Sequence, residues 1–248
     1  MVYQGSKARL VKYIAPILQK CIDDNNINTY VEPFVGGANM IIHIKCTNRI
    51  GSDNNTELIA LLNYMETAPA MEIFPEECSK EHYADVRECR KQGNNKYSME
   101  YTAGIGYFAS YGGRYFDGGY ARASRGGGRS IYAERLRNAK KQAPLLEGVA
   151  FFNFSYERYL SCKDTVFYLD PPYKGTKGYN CKFNYDEFYE FCCALSKNNF
   201  VFISEYSMPD DFECIWSKDV SVTQKSDRIH GDRATEKLFV WKGGRKGD

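Results

Sequence analysis

The chain has 248 residues, a net charge of +2, 43% hydrophobic and 15% aromatic residues. That is enough for one large domain, or a core with an inserted lobe, and it excludes a polybasic chain that grips nucleic acid along its whole length. No run approaches the roughly 20 apolar residues a membrane span needs. The nine cysteines contain no Cys-x-x-Cys pair and the three histidines form no ligand-spaced cluster. These point to reduced thiols in a cytoplasmic protein with no metal site.

Residues 2–7, Val-Tyr-Gln-Gly-Ser-Lys, precede an apolar series at Leu10, Val11, Ile14, Ile17, Leu18 and Cys21. The spacing predicts a helix with Ser6 as its N-cap, flanked by Tyr3 and Lys7. Thr29 to Glu32 reads as a strand running into the turn Pro33-Phe34-Val35-Gly36-Gly37-Ala38-Asn39, with an apolar helix expected over Met40 to Ile44. Strand, glycine turn and helix make the first unit of a nucleotide-binding α/β domain. The turn is neither Gly-x-Gly-x-x-Gly nor a phosphate-cradling P-loop.

Arg49 to Ser52 reads as a second strand, ending at Asp53, 17 positions after Gly36. A carboxylate at about this separation accepts hydrogen bonds from ribose hydroxyls. It equally serves as N-cap to the helix that Leu58, Ile59, Leu61, Leu62 and Met65 predict, and the two roles are compatible.

Between about 70 and 145 the character changes. Glu72 to Lys91 is mixed and charged, Tyr97 to Ser110 reads as helical, and a Tyr/Gly/Arg-rich stretch follows. Over residues 111–141 eight basic residues face two acidic ones, a local charge of +6. Arg114, Arg122, Arg125 and Arg129, interleaved with Tyr and Gly, suit phosphates and base edges. A basic helix is expected from Ile131 to Lys141. A solvated loop followed by that helix is the plainer alternative.

The α/β pattern resumes with a strand over Val149 to Phe152. Thr165 to Leu169 is another, and it leads into Asp170-Pro171-Pro172-Tyr173. A carboxylate at this point lies where open α/β sheets bind ligands. Two prolines remove two N–H donors, leaving a row of acceptors with the flat ring of Tyr173 beside them. Such a row holds and orients an exocyclic amine, and a base buried in a duplex must be flipped out to reach it. A strand followed by a proline turn, with Tyr173 merely packing, is the structural alternative. Tyr185 to Ser196 is expected as a helix and Asn199 to Ser204 as a strand. Val220 to Gln224 and Lys237 to Lys242 are expected to pair as a closing hairpin.

In combination these segments resemble the Dam class of N6-adenine DNA methyltransferases. Tyr3 to Lys7, Glu32 to Gly37, Asp53 to Asn55, a variable insert, and Asp170 to Tyr173 follow that family's order over nearly the whole chain. Asn153-Phe154 stands where the family often has Asp-Phe. The resemblance implies an α/β, Rossmann-like sheet with helices on both faces. Residues 1–70 and 146–248 would form the catalytic core, and 71–145 a mostly helical target-recognition insert. It implies S-adenosylmethionine as methyl donor, S-adenosylhomocysteine as product, and duplex DNA as partner, in a bacterial cell or phage-infected host. No obligate protein partner is inferred. By the same resemblance Tyr3, Lys7, Asp53 and Asp170 contact the cofactor, with Glu32 and Phe34 lining its site. Asp170, Pro171 and Tyr173 would carry the chemistry. The rival readings are methylation of RNA or a protein amide, and a non-catalytic DNA-binding protein that retains the fold. Restriction cleavage is not supported, since no Pro-Asp…Asp/Glu-x-Lys nuclease core is visible.

Overall fold

Short strands, all but β2 rich in β-branched and aromatic residues, build a parallel sheet: β1 (Thr29–Glu32), β2 (Asn48–Ser52), β3 (Val149–Phe152), β4 (Val166–Leu169) and β5 (Phe200–Glu205). Strands β4 and β5 are buried along their whole length, as parallel strands covered on both faces must be. In this computed structural model the described residues are 1–122, 130–172, 183–221 and 233–245. The long strands β6 (Phe212–Ser221) and β7 (Arg233–Trp241) complete seven strands in the order β3-β2-β1-β4-β5-β7-β6, with β7 antiparallel to both neighbours. The chain winds outward from β1 to β3, then returns to β4 and winds the other way. The reversal between β1 and β4 opens a crevice at the carboxyl ends of the strands.

Alternate side chains point to opposite faces. Tyr30, Val166, Tyr168, Phe200 and Phe202 join one apolar cluster. Val31, Phe167, Leu169, Val201 and Ile203 join the other. Helices α1 (Val11–Asp24), α2 (Thr56–Thr67), α3 (Lys80–Lys91), α4 (Met99–Ala109) and α5 (Ile131–Gln142) supply the first cluster. Helix α6 (Tyr185–Ser196) covers the second face together with Tyr156 and Tyr159. Helices therefore lie on both faces, as the Rossmann-like expectation required. Most buried apolar residues of 71–145, among them Phe74, Tyr83, Phe108 and Tyr132, belong to the same cluster as the sheet residues.

Four local expectations need correction. Ser6 does not cap α1. The helix begins after Leu10, without a side-chain cap, because residues 7–10 turn to send the Lys7 side chain inward. The segment Met40 to Ile44 holds only a single turn, Ile41–His43, since the chain must reach β2 at Asn48 while Met40, Ile41 and Ile44 fill the core. The cap of α2 is Asn55, whose side chain accepts from the Leu58 N–H, and not Asp53. The closing hairpin is much longer than read. Strand β6 starts at Phe212, where Glu213, Lys218 and Asp219 on an edge strand disguise the pattern.

Candidate active site at the carboxyl edge of the sheet

Asp170 is the first residue beyond β4 and is half-buried, while Pro171 behind it is buried. With no N–H on either proline, the turn offers only oxygen acceptors. Tyr185, the first residue of α6, donates its hydroxyl to the Pro172 carbonyl at 2.8 Å. Asn184 caps that helix by accepting from the Asp186 and Glu187 N–H groups. The proline turn is thus held from behind by a capped helix.

In front of it lies Lys7. Its Nζ is 3.0 Å from Asp170 Oδ1 and 3.9 Å from Glu236 Oε2 on β7. Lys7 is 9% exposed, so this cation is nearly out of water. Burial alone pulls its ammonium down, but Asp170 and then Glu236 outweigh it, and the net shift is upward. Lys7 therefore stays charged, with its Nζ against the Asp170 carboxyl. Sequence reasoning did not find Glu236. It is one polar residue within a strand, and only the hairpin brings it to the amino-terminal arm.

Glu32 ends β1 on the same face, across the crevice. It is 3% exposed and accepts from the Tyr30 hydroxyl at 2.7 Å. Burial pushes its carboxyl up to about 8, opposed by the Tyr30 hydrogen bond and reinforced by the charge of Asp170. A carboxyl whose folded pKa is raised stabilises the fold below its unfolded value and loses that contribution as pH rises through the folded value. Between pH 4.5 and about 8 the protein should lose stability on this account, at about 1.4 kcal/mol per pH unit at most. Glu32→Gln is expected to flatten that decline. Denaturant unfolding at several pH values checks it, and an unchanged slope would contradict the assignment.

The glycine turn brings the next group. Gly36 has φ +47° and Ala38 φ +53°, both left-handed. A side chain on Gly36 would meet the Tyr3 ring at 2.9 Å, so the amino-terminal arm lies directly on the turn. Gln142, the last residue of α5, donates to the carbonyls of Gly37 and Ala38, 2.9 Å each, and pins the strained alanine. Asp53 Oδ2 accepts from the Gly36 N–H at 3.3 Å and Oδ1 from the Asn55 N–H at 3.0 Å. Burial raises its carboxyl, while the N–H groups of Asn55, Gly36 and Asn54 pull it back. Asn153 donates to the Asp53 carbonyl at 2.8 Å. Phe154 stacks on Phe152, with ring centroids 5.1 Å apart, under the Arg158 guanidinium. Phe34 packs against Tyr156 and Phe188 at the mouth of the second cluster.

Arg114 and Arg122 are exposed. Arg135, counted with the basic stretch, instead turns inward and donates to the carbonyls of Phe108 and Ser110, closing the carboxyl end of α4. Tyr173, Arg125 and Arg129 lie outside the described residues. The described residues hold no group of His, Cys, Asp and Glu suited to a metal ion, and no helix long and apolar enough to cross a membrane.

The arm, glycine turn and proline turn fall within one match to known sequences. Residues 3–199 match the family described as D12 class N6 adenine-specific DNA methyltransferase. The modification methylase StsI of Streptococcus sanguinis is 27% identical over 195 residues, which cover 71% of this chain and 28% of that protein. This chain thus spans well under half the length of the curated relative it matches. Two solved structures of the rRNA methyltransferase aviRa from Streptomyces viridochromogenes are also similar. They have TM-scores of 0.42 and 0.41 and identities of 13% and 12%, covering 95% and 98% of this chain and 85% and 87% of theirs. On the family match, which takes in most of its length, the chain belongs to the D12 class N6 adenine-specific DNA methyltransferases.

Proposed function

We propose that this chain transfers a methyl group from S-adenosylmethionine to N6 of an adenine flipped out of duplex DNA. The observation that carries this reading is the Lys7–Asp170 pair at 3.0 Å, set at the crevice directly before two prolines. Lys7 keeps Asp170 ionised, so its carboxylate meets an amine as an acceptor and not as a donor. The Asp170 carboxylate and the Pro171 carbonyl accept the two N6 hydrogens and draw the nitrogen toward sp3 geometry. Tyr173 supplies a stacking face for the base. Tyr185 holds the Pro172 carbonyl and fixes the row. The work is positioning and electrostatics, with no covalent enzyme intermediate.

The residues present fit S-adenosylmethionine. Asp170 and Glu236 lie on Lys7, and the Asp53 carboxylate stands nearby at the glycine turn, so among the described residues the crevice carries acidic groups that suit a positively charged sulfonium. Asp53 offers carboxylate oxygens to ribose hydroxyls, and Tyr3 and Phe34 offer rings beside the glycine turn. When bound, S-adenosylmethionine supplies an electrophilic methyl on sulfur and leaves as S-adenosylhomocysteine, and the methylated N6 then releases one of its two protons to solvent past the Asp170 carboxylate. Residues 1–70 and 146–248 act as the catalytic core and 71–145 as the target-recognition insert, with Arg114, Arg122, Arg125 and Arg129 toward DNA.

Asp53→Ala is expected to weaken cofactor binding while duplex binding holds, since each charge-assisted hydrogen bond contributes about 1.5–3 kcal/mol. Calorimetric titration with S-adenosylmethionine decides it, and an unchanged dissociation constant would leave Asp53 only its role in tying the Gly36 turn to Asn55. The whole reading is tested in cells expressing the chain, by sequencing their DNA with a readout of N6-methyladenine. Methylated adenine in one recurrent sequence context supports it. Unmodified DNA, or methyl groups on cytosine, would refute it.

A further inference from the structure

The far edge of the sheet carries a group that the proposed reaction does not use. Tyr13, in the first turn of α1, stacks on Trp216 of β6 with ring centroids 5.9 Å apart. Two ammonium groups lie on the same ring. Lys218 Nζ is 4.3 Å from its centroid and Lys12 Nζ 5.0 Å. Neither lysine is joined to a carboxylate among the described residues, whereas Lys7, Lys20 and Lys96 all are. Lys218 and then Lys12 pull the Tyr13 phenol below its usual value. Two cations held together around one phenol repel each other, and an anion bridging them relieves that repulsion.

Its place in the fold gives the cluster a direction. Lys218 stands opposite Glu236 in the β6–β7 ladder, and Glu236 reaches Lys7 in the site. The cluster therefore borders the crevice. Helix α2, against which α4 of the insert packs, sits over β3 at the opposite edge of the sheet. A duplex lying across the crevice with one flank on the insert presents its other flank to β6 and α1.

We propose that Lys12, Tyr13 and Lys218 form a phosphate-binding rim that grips the DNA backbone on the side of the active site away from the insert. This rests on the DNA substrate proposed above. The rim touches phosphates alone, so it contributes affinity without sequence choice. Each lost phosphate contact lowers the slope of log affinity against log salt by about 0.9 for duplex DNA.

The test measures fluorescence anisotropy of a labelled duplex of about 25 base pairs at several salt concentrations. It compares wild type, the double variants Lys12→Ala/Lys218→Ala and Lys12→Arg/Lys218→Arg, and Tyr13→Phe. The double alanine variant is expected to bind every duplex sequence roughly tenfold more weakly, with the salt slope reduced by about 2. The arginine variant should restore both. S-adenosylmethionine titration and the thermal midpoint should match wild type in each, which separates lost contact from lost fold. Wild type that binds duplex DNA, beside an alanine variant of unchanged slope and affinity, overturns the rim and leaves the methyltransferase reading standing. Wild type that binds no duplex overturns both.

Discussion

Replacing Asp170 with alanine should leave a folded protein that binds its cofactor more weakly and, with cofactor saturating, transfers methyl groups roughly 10²-fold more slowly or worse. The carboxylate stands past the end of β4, outside both apolar clusters, so its loss opens no core cavity. Lys7 retains a carboxylate neighbour in Glu236, at 3.9 Å. What disappears is the charged acceptor that orients N6. Because that interaction tightens as the nitrogen gains positive charge, kcat should fall more than KM rises. Asp170→Asn keeps the volume and one acceptor oxygen but presents an NH2 as well, so it should also be severely slowed. Single-turnover methyl transfer with calorimetric cofactor binding checks the pair. A folded Asp170→Ala protein turning over near the wild-type rate would remove Asp170 from the chemistry.

Lys7→Met should be costly in a second way. It leaves Asp170 and Glu236 at the same buried spot without their cation. Breaking a buried pair from one side costs about 3–5 kcal/mol, since an uncompensated charge stays behind. Without that ammonium Asp170 titrates at higher pH, so the acid limb of the pH–rate profile should move up while the rate falls. Pairing Lys7→Met with Asp170→Asn should recover much of the stability and none of the activity. That coupling in a double-mutant cycle is the signature of direct interaction. An unshifted profile in the single variant would show that Lys7 does not govern the charge of Asp170.

The parts of this architecture with a strong local period were legible in the sequence. Strand β3 and helix α6 fall where their aromatic and apolar patterns place them, and Asp170 emerges at a strand end as its apolar run implies. Tertiary demands decided the rest. Met40, Ile41 and Ile44 are apolar on every side because they fill the core, and the short reach to β2 left no room for the helix their composition favours. Strand β6 hides its apolar face behind edge charges. Most of the site's supports had no sequence signal. Glu236 meets Lys7 and Gln142 meets the glycine turn across long stretches of chain, and Tyr185 meets Pro172 across the loop between β4 and α6. Arg135 looked like one more nucleic-acid contact until its carbonyl partners on α4 and beyond appeared. Asp53 and Asp170 could be read because each follows a strand, and Tyr3 and Lys7 because they precede the first apolar helical pattern. Their partners could not, because only the fold brings them near.

On the proposed function, a charged Asp170 directs methyl transfer to adenine N6 in DNA. The most direct test is transfer of radiolabelled methyl from S-adenosylmethionine to duplex DNA by the purified chain, followed by digestion to nucleosides and identification of the labelled one. Label is expected in N6-methyl-2′-deoxyadenosine alone, accumulating roughly 10²-fold more slowly or worse with Asp170→Ala. Label in a cytosine derivative, in protein or in RNA offered alongside, or cofactor binding with no transfer at all, would contradict it.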